Sequence, residues 1–176
     1  DFASKNDITE NEYFEMIKNK TAVLIGCSFM FGGIVAETNT SNTDLLYKIG
    51  LNLGIAFQLE DDLLDCFGDQ EKFGKKTGGD IIEKKKTLLF IYTHSQLELD
   101  KKSEFENIFY SSDLQESEKI TSIISFYENS GAVNYLKNKV KKHFNKAESL
   151  INDLQIDNDI KIKLNQFSRT LLNREI

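Results

Sequence analysis

The chain has 176 residues, 40% hydrophobic and 28% charged, with no proline and a formal net charge of −6. That is enough chain for one sizeable core in an ordinary globular domain. The balance of 22 basic against 28 acidic residues excludes a general nucleic-acid surface, which needs basic charge; an anionic ligand bridged to carboxylates by a metal stays open.

Cys27 and Cys66 are the only cysteines. Neither has metal-ligand spacing, so both read as free thiols of a reducing, cytoplasmic compartment. No signal peptide is expected before the first helix. The most apolar uncharged stretch, residues 21–36, is short for a membrane span and contains Gly26, Gly32 and Gly33. It reads as a core helix, with no integral membrane segment.

With no proline, long helices are permitted throughout. Thr9 and Glu12 form a capping box that opens a helix expected to run to about Glu37. Residues 38–42 are a polar break, and Thr43 is expected to cap a second long helix reaching about Phe67. Its apolar positions Leu45, Leu46, Ile49, Leu53, Ala56, Phe57, Leu63 and Leu64 recur mostly at threes and fours. Residues 68–80 read as a glycine- and lysine-bearing loop. A helix from about Ile81 to Leu97 follows, then four amphipathic helices at about 101–110, 114–129, 131–153 and 157–174. No strand-like alternation, repeat or linker interrupts the pattern. The fold class is all-α, a helical bundle. Two very apolar helices in it need covering, and the abrupt start at Asp1-Phe2 suggests a chain whose other half is missing.

The chemistry concentrates in Phe57-Gln58-Leu59-Glu60-Asp61-Asp62-Leu63-Leu64-Asp65. Helical spacing places Asp61 and Asp65 one turn apart on one face, with Asp62 about 100° round from Asp61. Three such close carboxylates on an otherwise apolar helix repel unless a cation neutralises them. Oxygen-only donors suit a hard cation, Mg²⁺ above all, which phosphates and water usually complete. Downstream, Gly74-Lys75-Lys76-Thr77-Gly78-Gly79-Asp80 and Lys84-Lys85-Lys86-Thr87 supply backbone N–H groups and ammonium groups suited to phosphate. An acidic cluster followed by a basic glycine loop is what a metal–diphosphate complex requires. A solvated acidic patch is the plain alternative for a bare acidic cluster, and surface solvation is the plain alternative for Lys76, Lys84 and Lys86.

The run Gly54-Ile55-Ala56-Phe57-Gln58-x-x-Asp61-Asp62-x-x-Asp65, then Gly68-Asp69, Gly74-Lys75, Gly79-Asp80 and Lys85-x-Thr87, resembles the second aspartate-rich region of trans-isoprenyl diphosphate synthases. Upstream, Tyr13-x-x-Met16-Ile17-x-x-Lys20-Thr21-Ala22 is similar to that family's helix bearing a Lys-Thr pair. The likeness is close over residues 1–90 and one of helical pattern beyond. It implies a partial isoprenoid synthase fold, with residues 1–176 as the C-terminal portion of a single helical domain. The implied activity is a prenyltransferase that condenses an allylic diphosphate with isopentenyl diphosphate. The implied cofactor is Mg²⁺, held by Asp61 and Asp65 with Asp62 in support. Lys20 and Lys75 would neutralise the diphosphate, Lys85 would add a basic contact, and Thr21 and Gln58 would orient the substrates. The growing chain would run along Leu24, Cys27, Ser28 and Phe31, for which core packing is the plain alternative. A homodimer is implied as well.

The sequence departs from the family in two respects. No second aspartate-rich motif exists and the upstream basic pocket for isopentenyl diphosphate is absent, so the chain by itself should be inactive. Two other readings share the pattern. A class I terpene cyclase mixes Asn, Ser or Thr with Glu in its second metal motif, whereas all three residues here are aspartates. A non-catalytic partner subunit would not need Asp61, Asp65 and Lys75. His94 and His143 lack ligand-spaced partners and read as structural or surface residues.

Overall fold

The computed structural model describes residues 8–68 and 77–172, except the side chain of Leu172. Every regular element among the described residues is helical: α1 (Glu10–Ile17), a π-helical turn (Lys18–Ala22), α2 (Val23–Val35), α3 (Thr40–Phe67), α4 (Gly79–Ile82), α5 (Leu88–Gln96), α6 (Leu99–Tyr110), α7 (Glu116–Asn129), α8 (Ala132–Asp153) and α9 (Asn158–Leu172). The all-α expectation holds. The described chain divides into two compact units, residues 8–13 with 61–137 and residues 14–60 with 138–172.

The capping box forms as read. The Glu12 N–H donates to Thr9 Oγ1 at 3.3 Å and the Thr9 N–H donates to Glu12 Oε2 at 3.0 Å, so two otherwise orphaned donors are satisfied reciprocally. The first long helix ends at Val35 rather than Glu37. Glu37 takes a left-handed φ of 53°, and its N–H and that of Thr38 turn back to the Ile34 and Gly33 carbonyls, which closes the last turn. The second helix begins earlier than the Thr43 cap implied. Asn39 is the cap: its Oδ1 accepts the Asn42 N–H at 2.8 Å, while Thr43 Oγ1 donates to the Asn39 carbonyl.

The expected helix from Ile81 to Leu97 is in fact two helices, α4 and α5. Lys84 breaks it with a φ of 55°. The strained conformation is held by its ammonium, which donates to the Tyr110 carbonyl at 2.9 Å and to Ser112 Oγ at 3.3 Å. A cation on the last carbonyls of α6 also suits that helix's dipole. The four later helices lie close to their expected ranges.

In the unit of residues 14–60 and 138–172, Ile49 and Leu53 of α3 pack on Ala147, Leu150, Ile151 and Leu154 around α8, with Phe29, Phe144 and Leu164 against them. Buried Asn42 pins the α8–α9 turn: its amide nitrogen donates to the Gln155 carbonyl and its oxygen accepts the Gln155 N–H. Where α3 crosses the π turn, small residues meet. A Cβ built on Gly54 would lie 2.5 Å from Ala22 Cα. In the other unit an aromatic core gathers Phe90, Phe105, Phe109 and Tyr127. The Phe90 and Phe109 ring centres stand 4.4 Å apart in a tilted arrangement, and those of Phe105 and Tyr127 6.3 Å apart, edge to face.

Both histidines are structural, as read. His94 Nε2 bonds Glu106 Oε1 and its ring stacks on Phe90. His143 Nδ1–H donates to Asn52 Oδ1 at 3.0 Å. Burial, with Lys142 and Lys139 nearby, holds the His143 imidazole below its ordinary range. A pKa depressed by folding gives stability that is present above the unfolded value, about 6.5, and lost as pH falls through the folded value. Denaturation midpoints are therefore expected to drop on acidification below that point. The His143→Gln variant should show a flatter decline than the parent in urea titrations across pH 7.5 to 5.5. Parallel curves would contradict this assignment.

Candidate active site

The site residues read from the sequence divide between the two units. In the unit of residues 14–60 and 138–172 the π turn carries Lys20 and Thr21. The Val23 N–H reaches back five residues to the Lys18 carbonyl, so one extra residue enters the helix and resets the face of everything around it. Such insertions cost helix stability and concentrate at functional positions. With this setting Thr21 Oγ1 donates to Gln58 Oε1 at 2.9 Å. The hydroxyl is thus not spent on its own helix backbone. Gln58 lies one turn along α3 from Gly54, and Thr21 adjoins Ala22, so the Gly54–Ala22 crossing brings this pair together. Lys20 is exposed.

The other unit holds the carboxylates. Asp61 is exposed near the end of α3, while Asp62 is buried at 5% exposure. The Tyr13 hydroxyl donates to Asp62 Oδ2 at 2.5 Å. Asp65 sits where the chain returns at residues 77–80. Its Oδ2 accepts the Asp80 N–H at 2.9 Å, and its backbone carbonyl accepts the Gly78 N–H at 2.6 Å. The two glycines make this wrap possible. Gly78 has a φ of 83°, a conformation side-chained residues rarely adopt, and a Cβ on Gly79 would stand 3.0 Å from Asp65 Oδ1.

Asp80, which the sequence reading quoted but gave no role, is ion-paired to Lys85 at 2.8 Å. Lys85 also pairs with Glu83 at 2.7 Å. These hydrogen bonds, first to Asp80 and then to Glu83, hold the Lys85 ammonium well above its ordinary range, so it stays charged. Lys84 and Lys86 make structural contacts instead. Lys84 caps α6, and the Lys86 ammonium lies 5.9 Å from the Tyr110 ring centre, within cation–π range. Lys75 and Lys76 fall outside the described residues.

The local electrostatics are those of concentrated negative charge. Burial pushes the Asp65 carboxyl above its usual range; the Asp80 N–H and Lys85 oppose this, and the Asp80 and Asp61 charges add to it. Burial raises Tyr13, Cys66 and Tyr127 well above their ordinary values, and the Asp62 and Asp80 charges act in the same direction on all three. A cation is the natural counterpart of such a cluster. Among the described residues no three His, Cys, Asp or Glu side chains converge closely enough to hold a metal by themselves.

Tyr13 and Asp80 are the partners that residue spacing missed. The Tyr13–Asp62 pair is 49 positions apart, and Asp80 acts on Asp65 through its backbone, which leaves no trace in side-chain chemistry.

A family model described as polyprenyl synthetase matches residues 1–127. The chain belongs to the polyprenyl synthetase family. Among family members, geranylgeranyl diphosphate synthase of Sulfolobus acidocaldarius is 34% identical over 165 residues, covering 91% of this chain and 48% of that protein. A crystal structure of geranylgeranyl pyrophosphate synthase superposes with a TM-score of 0.91 at 37% identity, covering 99% of this chain and 54% of the other. A polyprenyl synthase from Caulobacter crescentus, complexed with calcium and isoprenyl diphosphate, gives a TM-score of 0.87 at 26% identity, over 99% of this chain and 52% of that one. The chain thus spans about half the length of these family members. None of the described helices is long and apolar enough to cross a membrane.

Proposed function

We propose that this chain supplies the second metal–diphosphate site of a trans-prenyltransferase, which condenses an allylic diphosphate with isopentenyl diphosphate. It would act with a half equivalent to the remaining length of its relatives, the two together forming a single helical domain. The observation that carries the reading is the aspartate triplet at the end of α3, its Asp65 wrapped by the Gly78-Gly79-Asp80 turn and followed by Lys85. The relatives named above are all isoprenyl or polyprenyl diphosphate synthases, which favours this reading over a cyclase or a non-catalytic subunit.

Asp61 and Asp65 would hold Mg²⁺, and the calcium in the Caulobacter relative supports a divalent cation. Such an ion, when bound, supplies electrostatic stabilisation of a leaving diphosphate. Lys20, Lys75 and Lys85 would neutralise the rest of that charge as the allylic carbon–oxygen bond breaks. Lys85 already stands over Asp80 and Glu83, so its ammonium is delivered with its charge intact. The Thr21–Gln58 bond fixes both side chains for orienting a substrate. Leu24 and Phe31, exposed on α2, support either an apolar lining for the growing prenyl chain or the face of a homodimer. Two free cysteines agree with a cytoplasmic setting.

Cation and diphosphate should bind together, because each cancels the charge that opposes the other. Calorimetric titration of the complete protein, this chain joined to that half, with inorganic pyrophosphate tests this. Mg²⁺ is expected to raise pyrophosphate affinity by about tenfold or more. Equal affinity with and without Mg²⁺ would remove the reading.

A further inference from the structure

Asp61 and Asp62 are adjacent in sequence and opposite in circumstance. About 100° of helix separates them; Asp61 is exposed and Asp62 is 5% exposed, turned into its own unit. There the Tyr13 hydroxyl, on a side chain only 1% exposed, reaches it at 2.5 Å. That is the short separation of a charge-assisted O–H···O⁻ bond. Turning Asp62 Oδ2 to another ligand would therefore cost a buried, charge-assisted hydrogen bond. Asp65 also accepts one bond on Oδ2, from the Asp80 backbone N–H, but it is only half-buried where Asp62 is buried.

We propose that Tyr13 is a positioning residue: it claims Asp62 as its hydrogen-bond partner, fixes the roll of the end of α3, and so presents Asp61 and Asp65, not Asp62, to the cation. The inference rests on the metal–diphosphate reading above, which already gives the cation to Asp61 and Asp65 with Asp62 in support; what it adds is the role of Tyr13, whose bond from α1 holds Asp62 in that supporting place. Residues holding a metal ligand's neighbourhood from outside commonly matter to affinity by about 10–100-fold.

The test uses the complete protein, with inorganic pyrophosphate as probe and Mg²⁺ as the titrated ion, read by calorimetry so that turnover is not required. Tyr13→Phe is expected to raise the Mg²⁺ concentration that half-saturates pyrophosphate binding about tenfold. Asp62→Asn keeps an acceptor for the Tyr13 hydroxyl and should stay within about threefold of the parent, whereas Asp61→Asn should lose the Mg²⁺ dependence. Adding Tyr13→Phe to Asp62→Ala should cost less than the two single losses together, since both break the same bond. A Tyr13→Phe protein with a lower melting temperature and an unchanged Mg²⁺ requirement would reduce Tyr13 to a structural role and overturn the proposal. So would an Asp62→Asn loss as severe as that of Asp61→Asn, which remains readable if Tyr13→Phe fails to fold. Absence of Mg²⁺ dependence in the parent itself would overturn both this inference and the reading beneath it. A Mg²⁺-dependent parent with an indifferent Tyr13→Phe sinks only this one.

Discussion

On the prenyltransferase function proposed above, replacing Asp61 with alanine in the complete protein is expected to lower isopentenyl diphosphate consumption about a thousandfold. The loss should fall mainly on kcat, because the interaction matters most as negative charge builds on the leaving group. Asp61 is the exposed member of the triplet, beside a carboxylate cluster that burial and mutual repulsion make costly to keep charged. Lys85 offsets that charge from the Asp80 side, and a cation held by Asp61 would offset it from the other. Excess Mg²⁺ should not restore the alanine variant. Lys101→Ala serves as control: its pairing with Glu104 is exposed, a contact worth little, and it should leave turnover unchanged. An Asp61→Ala protein with more than a tenth of parental turnover would take this residue out of the mechanism.

Much of this site could be read from residue order, because its chemistry is local. Asp61, Asp62 and Asp65 lie on a helix that the apolar period locates, and Gly78-Gly79-Asp80 announces a turn that only glycine allows. The Thr9 cap and the four C-terminal helices follow from equally local signals. What the sequence hid is set at a distance. No periodicity marks the π turn at Lys18–Ala22, since five residues of mixed polarity fit either helix. We attribute it to the crossing of α3, where Ala22 meets Gly54. Likewise nothing near Lys84 ends a helix. The break comes from the Tyr110 carbonyl, 26 positions away, which draws the lysine into a left-handed turn. Residues 38–42 misled for a local reason: both Asn39 and Thr43 are good caps, and only the backbone shows that Asn39 takes the place.

The Gly54 crossing gives the second large effect, and its sign is the diagnostic part. A glycine inside a helix costs roughly 0.5–1 kcal/mol relative to alanine. On propensity alone Gly54→Ala should therefore stabilise the protein. Space says otherwise: the new Cβ would stand 2.5 Å from Ala22 Cα and 2.9 Å from Ala22 Cβ. Backbone atoms cannot rotate out of the way, so the helices must part and the packing of Ala22 and Ile25 must loosen. Overpacking of this kind costs about 1–3 kcal/mol. For a chain of this size that corresponds to a melting temperature lower by about 2–12 °C. Gly32→Ala is the matched comparison. It is also inside a helix, but nothing stands within 4 Å of its new Cβ, so it should stabilise by roughly 0.5–1 kcal/mol. The crossing also holds the Thr21–Gln58 bond, so Gly54→Ala should weaken pyrophosphate binding to the complete protein while Gly32→Ala leaves it intact. If both alanines raise the melting temperature, the crossing has room to spare, and the π turn needs another explanation than the close approach of Ala22 to α3.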